Sequence, residues 1–557
     1  MRTRLLLLSF LFASPGFTQQ RPNIIWIVCE DISPYIGAYG NHELSTPNID
    51  QLAKEGVRYT KAFTTAGVCA PSRSAIITGM YQTSIGTQHM RTAGDPKYQP
   101  VPSYSAVIPD YVRCFPEYLR LAGYYCTNNQ KTDYQFEAPV TVWDENSAAA
   151  SFRNRPKDKP FFSVFNLFIT HESNLFIQKG PLEADTNALT VPPIYPDTRT
   201  VRHDIGRLYI NIQAMDRQVG EIIAMLKEDG LYDNTIIFFY SDHGGNLPWM
   251  KREILERGTH IPLIIRFPGK ERAGTVNDDL VSALDFAPTV LSLAVIRPPA
   301  HMQGQAFLGK YRQGTPRAYI YAARDRMDTE YDRVRMVRDK RYRYLYNYMP
   351  EKPYYQQIAF RLDIPMMKEI LDMKEKGTLP PSTMGWFATK PIEELYDVEK
   401  DPWELHNLAT DPIYKSKLEE LRGVLQSWTD KVGDMSSVPE KDMIAKMWNG
   451  QSSAPVTATP VFMMKNQEVN IACATPGASI GYRIERAGDP VPGRHLVKTW
   501  DYGLTMGMFE PGSTLPAQPV WNVYDGKPVR LEKGDTLVVN AMRIGYKAAI
   551  AFFVAKE

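Results

Sequence analysis

Cysteine is scarce in this chain of 557 residues: there are five, at positions 29, 69, 114, 126 and 473. So few cysteines exclude a disulfide scaffold, although a pair between Cys114 and Cys126 stays open. Beyond the N-terminus no apolar run is long enough to span a membrane. Lysine and arginine (64) nearly balance aspartate and glutamate (62), so no overall field attracts a polyanion, and nucleic-acid binding is not indicated.

The first twenty residues, MRTRLLLLSFLFASPGFTQQ, place two arginines before an apolar block that is too short to span a membrane. This pattern is typical of a secretory signal peptide, so residues 1–20 are excluded from the fold. We therefore predict a periplasmic or secreted protein. At about 100–200 residues per domain, the remaining chain is long enough for several domains.

Continuous apolar runs predict strands that are buried on both faces, as in parallel α/β sheets. The run NIIWIV (23–28) ends at Glu30-Asp31, and TIIFFY (235–240) ends just before Asp242. The runs PFFSVFNLFI (160–169) and IPLIIRF (261–267) predict two further central strands. Ligands of such sheets bind at the carboxyl ends of the strands, where both acidic segments lie.

Helical patterns lie between these strands, over residues 46–55 and 203–229. Alternating strands and helices predict an α/β fold with a doubly wound, mostly parallel sheet over residues 21–345. A smaller region at 346–450 contains a helical pattern at 413–432, and QSSAPVTATP (451–460) has the composition of a linker. Alternating segments after it predict a β-sandwich at 461–557.

One cysteine lies in the run Cys69-Ala70-Pro71-Ser72-Arg73, which is followed by SAIITGMYQT. A lone cysteine is most often a small buried apolar residue. This run, however, resembles the signature of the formylglycine-dependent type I sulfatases, a cysteine, any residue, then Pro-Ser-Arg. The resemblance implies that a formylglycine-generating or sulfatase-maturating enzyme converts Cys69 into formylglycine. One hydroxyl of the hydrated aldehyde would attack the sulfur of a sulfate ester, and the other would then expel sulfate.

The resemblance extends over residues 21 to about 430 and implies a calcium site. Glu30-Asp31 lies where the family usually has two aspartates, and Asp242-His243 matches its later metal pair. With modified Cys69, these residues would be the calcium ligands. Glutamate suits this hard cation, whereas by ligand softness alone the histidine would equally suit a transition metal. An acid pair after a strand is otherwise most often a solvated turn.

The resemblance also implies a set of catalytic groups around the sulfate. Arg73 would hold the diol, and Lys131 and Lys251 would complete a sulfate cage, although a histidine that the family has near the first lysine is missing. His171, in FITHES, would face the leaving-group oxygen, and with an ordinary pKa near 6.5 it would act as a protonated general acid. Asp242 would accept the proton of the nucleophile.

Substrate-binding residues are predicted on two segments. His89 and Arg91 follow the catalytic run, and Arg324 and Arg326 open an arginine-rich stretch. Arginines there would hold uronates or further sulfates bidentately. The alternative is that they form internal ion pairs.

The sequence thus predicts an exported sulfatase that hydrolyses a sulfate ester on a poly- or oligosaccharide. The family implies an alkaline-phosphatase-like sheet with a small antiparallel C-terminal subdomain, to which a β-sandwich is appended. The segments CEDIS, TNNQKTDY and RDRMD resemble heparan N-sulfatase-like bacterial members, so an N-sulfate stays open beside an O-sulfate. A phosphomonoester or phosphonate hydrolase of the same superfamily and an inactive glycan-binding homologue are competing interpretations.

Overall fold

The computed structural model describes residues 21–93, 100–178, 182, 185–486, 496–498, 514–516 and 518–555; of 496–498 and 514–516 it describes only the backbone. The predicted signal peptide, residues 1–20, lies outside the described residues. None of the described helices combines the length and the apolar character that a membrane crossing requires.

A central sheet organises the first 300 residues or so of the chain. In chain order its strands are β1 Asn23–Cys29, β2 Val57–Phe63, β3 Tyr125–Asn129, β4 Glu145–Asn146, β5 Phe161–Leu167, β6 Thr235–Ser241, β7 His260–Arg266, β8 Thr275–Asn277 and β9 Val281–Ser282. The spatial order is β4-β3-β5-β1-β6-β7-β2-β8, with β9 also paired to β2. Strand β7 is antiparallel to both of its neighbours, and the other described pairs are parallel.

Helices cover both faces of this sheet, which explains why its strands are continuously apolar. The helices of the chain are α1 Pro47–Glu55, α2 Cys69–Thr78, α3 Phe115–Leu121, α4 Arg199–Glu228, α5 Glu256–Thr259, α6 Phe286–Leu293, α7 Pro365–Glu375, α8 Pro381–Met384, α9 Lys415–Val432 and α10 Glu440–Met447. Ile25 and Ile27 of β1 pack in one core with α1, α4 and α7, whereas Trp26 and Val28 pack in another with α2, α3 and α6. The predicted doubly wound, mostly parallel α/β fold is confirmed.

A second, antiparallel sheet lies C-terminal to the first and contains β10 Ile320–Arg324, β11 Val334–Arg338, β12 Tyr342–Asn347 and β13 Glu393–Asp397 in this spatial order. Helix α9 packs on one face through Leu421 and Trp428, next to Tyr344. The other face shares an apolar cluster with Ile254 and Leu255 of the catalytic region. The sheet begins at Ile320, so part of it precedes the boundary predicted at residue 345.

Two small antiparallel sheets form the C-terminal module, in the orders β14-β15-β20 and β19-β16-β21-β22. The strands are β14 Val461–Lys465, β15 Glu468–Ala472, β16 Ser479–Glu485, β17 Leu496–Lys498, β18 Thr514–Pro516, β19 Asn522–Val523, β20 Val529–Arg530, β21 Thr536–Met542 and β22 Ala549–Val554, with β17 and β18 forming a separate pair. Val469 and Val529 of one sheet share a core with Leu537 and Val539 of the other, which gives the predicted sandwich. Val456, in the predicted linker, pairs with Lys547 of this module.

Candidate active site

The acidic segments after β1 and β6 meet at the carboxyl edge of the central sheet. The two strands are parallel neighbours in register, with Cys29 opposite Ser241, so the residues that follow them emerge side by side. The backbone N–H of Asp31 donates to Oδ1 of Asp242 over 3.2 Å. Asp31 has a φ of 55°, a left-handed conformation that turns the chain directly after the strand.

The N-terminus of α2 brings Cys69 to this edge. Its Sγ lies 3.3 Å from Nε2 of His243 and 3.8 Å from Oδ1 of Asp31. All 10 residues of the helix are buried, and Cys69 is only 2% exposed. The cysteine therefore lies among potential metal ligands rather than in an apolar core.

Arg73, one helical turn after Cys69, joins both acidic segments. Its Nε donates to Oδ2 of Asp242 over 3.0 Å, and its Nη2 donates to Glu30. The remaining Nη1 donates to Oδ1 of Asn166 over 2.8 Å. A buried guanidinium with three acceptors is fixed in position, so it gives the site a rigid positive group.

Two lysines complete the buried charges. Nζ of Lys131 lies 2.5 Å from Glu30, and Nζ of Lys251 lies 2.5 Å from Asp31. Burial alone would lower the pKa of Lys251, but the nearby Asp31, Cys69 and Glu172 together more than offset this and raise the pKa above its ordinary value. Both lysines are therefore cationic in a region almost closed to water.

The donor set fits a divalent cation. Ligand atoms of Asp31, Cys69, Asp242 and His243 all lie within 4.8 Å of one another. Nδ1 of His243 donates to the carbonyl of Gly244 over 3.0 Å, so its Nε2 faces Oδ1 of Asp31 at 2.9 Å. Two lone pairs at this distance require a positive charge between them, either a proton or a metal ion.

Glu30 has a different place from the other predicted ligands. It groups with Asp31, Cys69 and His171 but not with the later metal pair. Its two carboxylate oxygens accept from Arg73 and Lys131. Asp31, Asp242 and His243 therefore fit a cation best, because with Cys69 they form one group of ligand atoms that does not include Glu30.

His171, which the family resemblance assigns to the leaving-group side, lies beside Cys69 and Asp31. Burial and then the charge of Lys251 lower its pKa to about 3, so the expected protonated ring is absent from the substrate-free protein at neutral pH. Nδ1 accepts the backbone N–H of Ser173 over 3.3 Å. The neutral ring therefore carries its proton on Nε2, and a donor role has to use that proton.

Sequence reasoning missed three residues that support the site. Asn166 accepts from Arg73 inside a buried, mostly apolar strand. The backbone N–H of Glu172 donates to Asp31 over 2.8 Å, and its carboxylate accepts two hydrogen bonds from Arg252 at 2.9 and 2.6 Å. The one sequence signal was the position of Glu172 directly after His171.

The four predicted substrate-binding residues have dissimilar surroundings. Arg326 is fully buried and donates to both carboxylate oxygens of Glu440, at 2.6 and 2.8 Å, as the ion-pair interpretation expects. His89 is buried beside the backbone of Arg326. Arg324 donates to Glu253 over 2.6 Å and is 2% exposed. The side chain of Arg91 is 29% exposed and pairs with Asp328.

Comparison with known proteins identifies the family. Residues 22–296 match the Sulfatase family model, and residues 245–380 match the model of the N-sulphoglucosamine sulphohydrolase C-terminal region. An ulvan-active sulfatase of Formosa agariphila is 45% identical over 96% of this chain and 91% of the relative. The chain belongs to the sulfatase family. As a sulfatase, it is a sulfuric ester hydrolase of the alkaline-phosphatase-like superfamily.

More distant relatives agree with this assignment. The sulfatase is 26% identical to human N-sulphoglucosamine sulphohydrolase over 74% of this chain and 91% of the relative. A protein solved in complex with its substrate, D-glucosamine-2-N,6-O-disulfate, has a TM-score of 0.54 and 18% identity over 75% of this chain and 100% of that chain. At this identity the likeness shows the shared fold alone.

The close contact at Gly67 generates a test of the site geometry. Its carbonyl accepts the backbone N–H of Arg252 over 2.6 Å, and a Cβ added at Gly67 would lie 2.0 Å from the carbonyl oxygen of Glu253. Gly67→Ala should displace Lys251 or Cys69 and reduce kcat/KM by about 100-fold, because small displacements of positioned groups are costly. Steady-state kinetics measures this loss.

Gly423→Ala is the matched control, because this glycine in α9 is exposed and a Cβ there meets no atom within 4 Å. It should retain wild-type kinetics. Wild-type kinetics in Gly67→Ala as well would contradict the close packing of the two loops.

Proposed function

We propose that this sulfatase is exported and hydrolyses a sulfate ester of a poly- or oligosaccharide, using formylglycine made from Cys69 and a bound calcium ion. The observation that carries the proposal is the position of Cys69, within 3.8 Å of both Asp31 and His243 and one helical turn from Arg73. An ordinary structural cysteine has no need of three buried carboxylates nearby. The family membership supports the same reading.

The charges of the site suit an anionic substrate. Glu30, Asp31 and Asp242 are balanced by Arg73, Lys131 and Lys251 in the buried ion pairs. A divalent cation would therefore leave a positive centre, and water exclusion strengthens its attraction for a sulfate group.

Each protein group has a role in this proposal. After conversion of Cys69, the formylglycine hydrate would supply the nucleophile. A bound calcium ion would neutralise negative charge on the sulfate oxygens. Arg73 and Lys131 orient the nucleophile and the sulfate, and Lys251 binds a sulfate oxygen. The Asp242 carboxylate accepts the proton of the nucleophile.

His171 serves the leaving group. Its Nε2 proton passes to the departing sugar oxygen, while Nδ1 stays hydrogen bonded to Ser173. Protonation of a poor leaving group is where general acid catalysis contributes most.

The names of the relatives support the class of substrate. An ulvan-active sulfatase and N-sulphoglucosamine sulphohydrolase are both named for carbohydrate substrates. Because the identity is greater to the first, we favour an O-sulfate on a polysaccharide, with an N-sulfate as the second candidate. The leader-like residues 1–20 support export to the periplasm or beyond it.

Cys69→Ala is expected to abolish sulfatase activity with folding retained, because the side chain that becomes the nucleophile is lost. Protein produced with a sulfatase-maturating enzyme would be assayed on desulfation of ulvan oligosaccharides, and mass spectrometry of the Cys69 peptide would measure conversion. Cys473→Ala, a change directly after β15 of the C-terminal module, is the control. Full activity in Cys69→Ala, or an unmodified peptide in active enzyme, would reject the mechanism. An aryl phosphate assayed in parallel tests for phosphomonoesterase activity.

His171→Ala should reduce kcat/KM for sulfated sugars by about 10²–10⁴-fold and for 4-nitrophenyl sulfate by much less, because nitrophenolate leaves without a proton. His406→Ala is a suitable control, since the side chain of His406 is 80% exposed. Equal losses on both substrates would leave His171 a positioning residue and contradict the acid role.

Removal of divalent metal is expected to abolish turnover, because Asp31, Asp242 and His243 would lose the cation that attracts the sulfate group. Dialysis against EDTA followed by addition of single metals, with elemental analysis, measures both loss and recovery. Recovery with Ca²⁺ supports the proposed ion. Recovery with Zn²⁺ or another transition metal alone would instead favour the softer ion that His243 also permits.

A further inference from the structure

Next to the sulfate site lies a buried group of charges that the proposed mechanism does not use. We name it the arginine cluster: Arg252, Arg324, Arg361, Glu172 and Glu253. Glu172 holds Arg252, and Glu253 holds Arg324. Arg361 is close enough to all four for their charges to act on its pKa, which burial and then Arg252 lower to about 10.

The cluster contains more cationic N–H groups than acceptors. In the part of the chain that the structure describes, both Nη atoms of Arg361, Nε and Nη2 of Arg324, and Nε of Arg252 are buried without a hydrogen-bond partner. Arg361 forms no ion pair with the residues that the structure describes, whereas Arg324 pairs with Glu253 and also lies 3.9 Å from Asp332. The guanidinium carbon of Arg361 lies over the indole ring of Trp386, 5.0 Å from the ring centre. This contact covers the face of the guanidinium but gives its N–H groups no hydrogen-bond acceptor.

Such an arrangement is costly without a further acceptor. An unpaired buried charge loses its hydration and gains nothing in return. Arg361 is 1% exposed and Arg324 is 2% exposed, so water at the open surface supplies almost none of the hydrogen-bond acceptors that these N–H groups need. Gln356 lies five positions before Arg361. Its Nε2 and Oε1 atoms are also buried without a hydrogen-bond partner, so this segment has further unused hydrogen-bonding groups.

The segment that carries Arg361 forms part of the catalytic pocket. Ile358 shares an apolar cluster with Val68 and Ala70, the residues on either side of Cys69. The ring of Phe360 lies 6.2 Å from the ring of His171. Glu172 binds Asp31 through its backbone N–H, so the arginine cluster adjoins the sulfate site on its leaving-group side.

We propose that Arg361, together with the free N–H groups of Arg324, binds a second anionic group of the substrate, on the saccharide whose sulfate is removed. The group is a planar or tetrahedral oxyanion, either a uronate carboxylate or a further sulfate. A guanidinium fork binds such oxygens bidentately, and the added negative charge would give Arg361 the ion-pair partner that it lacks. This inference rests on the proposed function, because it assumes a sulfated saccharide in the neighbouring site.

The test compares substrates that differ only in the second anion. Three sulfated oligosaccharides are used: one with an intact uronate, one with that carboxylate reduced to the alcohol, and one with a second sulfate in place of the carboxylate. The wild-type enzyme should prefer one of the two charged forms to the alcohol, and the preferred form identifies the anion.

Arg361→Gln should lower kcat/KM for the preferred charged substrate by about 30-fold or more, chiefly through KM, because a buried charge pair is broken. The loss on the reduced substrate should be at least tenfold smaller. Arg361→Lys keeps the charge but not the fork, so it should recover part of the lost affinity. Arg422 of α9 forms a surface ion pair with Glu393, and Arg422→Gln should leave the kinetics on all three substrates as in the wild type.

Equal losses of Arg361→Gln on charged and reduced substrates would overturn the inference and leave Arg361 a structural residue served by buried water. Thermal denaturation checks folding, and if Arg361→Gln does not fold, the same ratio measured for Arg361→Lys decides. A wild-type enzyme that hydrolyses all three substrates equally well also rejects the second site while retaining the sulfatase function. A wild-type enzyme that hydrolyses no sulfated saccharide rejects the proposed function itself.

Discussion

The ion pairs of Arg73 are the interaction on which the rest of the site depends. Glu30 and Asp242 end two neighbouring strands and are both closed to water, so without a shared cation they would repel each other. Arg73 lies on the same helix as Cys69, so one side chain both forms ion pairs with the two acids and fixes the helix against them. Two lysines add further positive charge to the site. Lys131 pairs with Glu30, and Lys251 pairs with Asp31.

The sequence was most informative where local pattern and position in the fold coincide. Apolar runs ending in acids predicted that Asp31 and Asp242 would meet, because strands buried on both faces align their carboxyl ends. The approach of Cys69 and His171 to these acids was implied by the family resemblance, and the geometry agrees with it. The direction of β7 was not predictable, since an apolar run reads alike in either orientation.

Partner choice among charged side chains was the part that the sequence did not predict. Arg326 forms an ion pair with Glu440, and Arg252 forms one with Glu172. Such pairs depend on which loops pack together rather than on spacing along the chain. The lowered pKa of His171 likewise arises from burial and from Lys251, neither of which its local sequence reveals. The early start of the small sheet, at Ile320, reflects the antiparallel pairing of β10 with β11, in which Ile320 lies opposite Arg338.

The separation of the paired groups along the chain has a consequence for how the protein folds. Asp31 and Asp242 are 211 positions apart, and Lys251 follows still later. Contacts between such distant positions form slowly, because a long loop must close before they are gained. Until Lys251 has taken its place in the folded chain, burial of Asp31 costs the carboxylate its hydration without this ion pair in return.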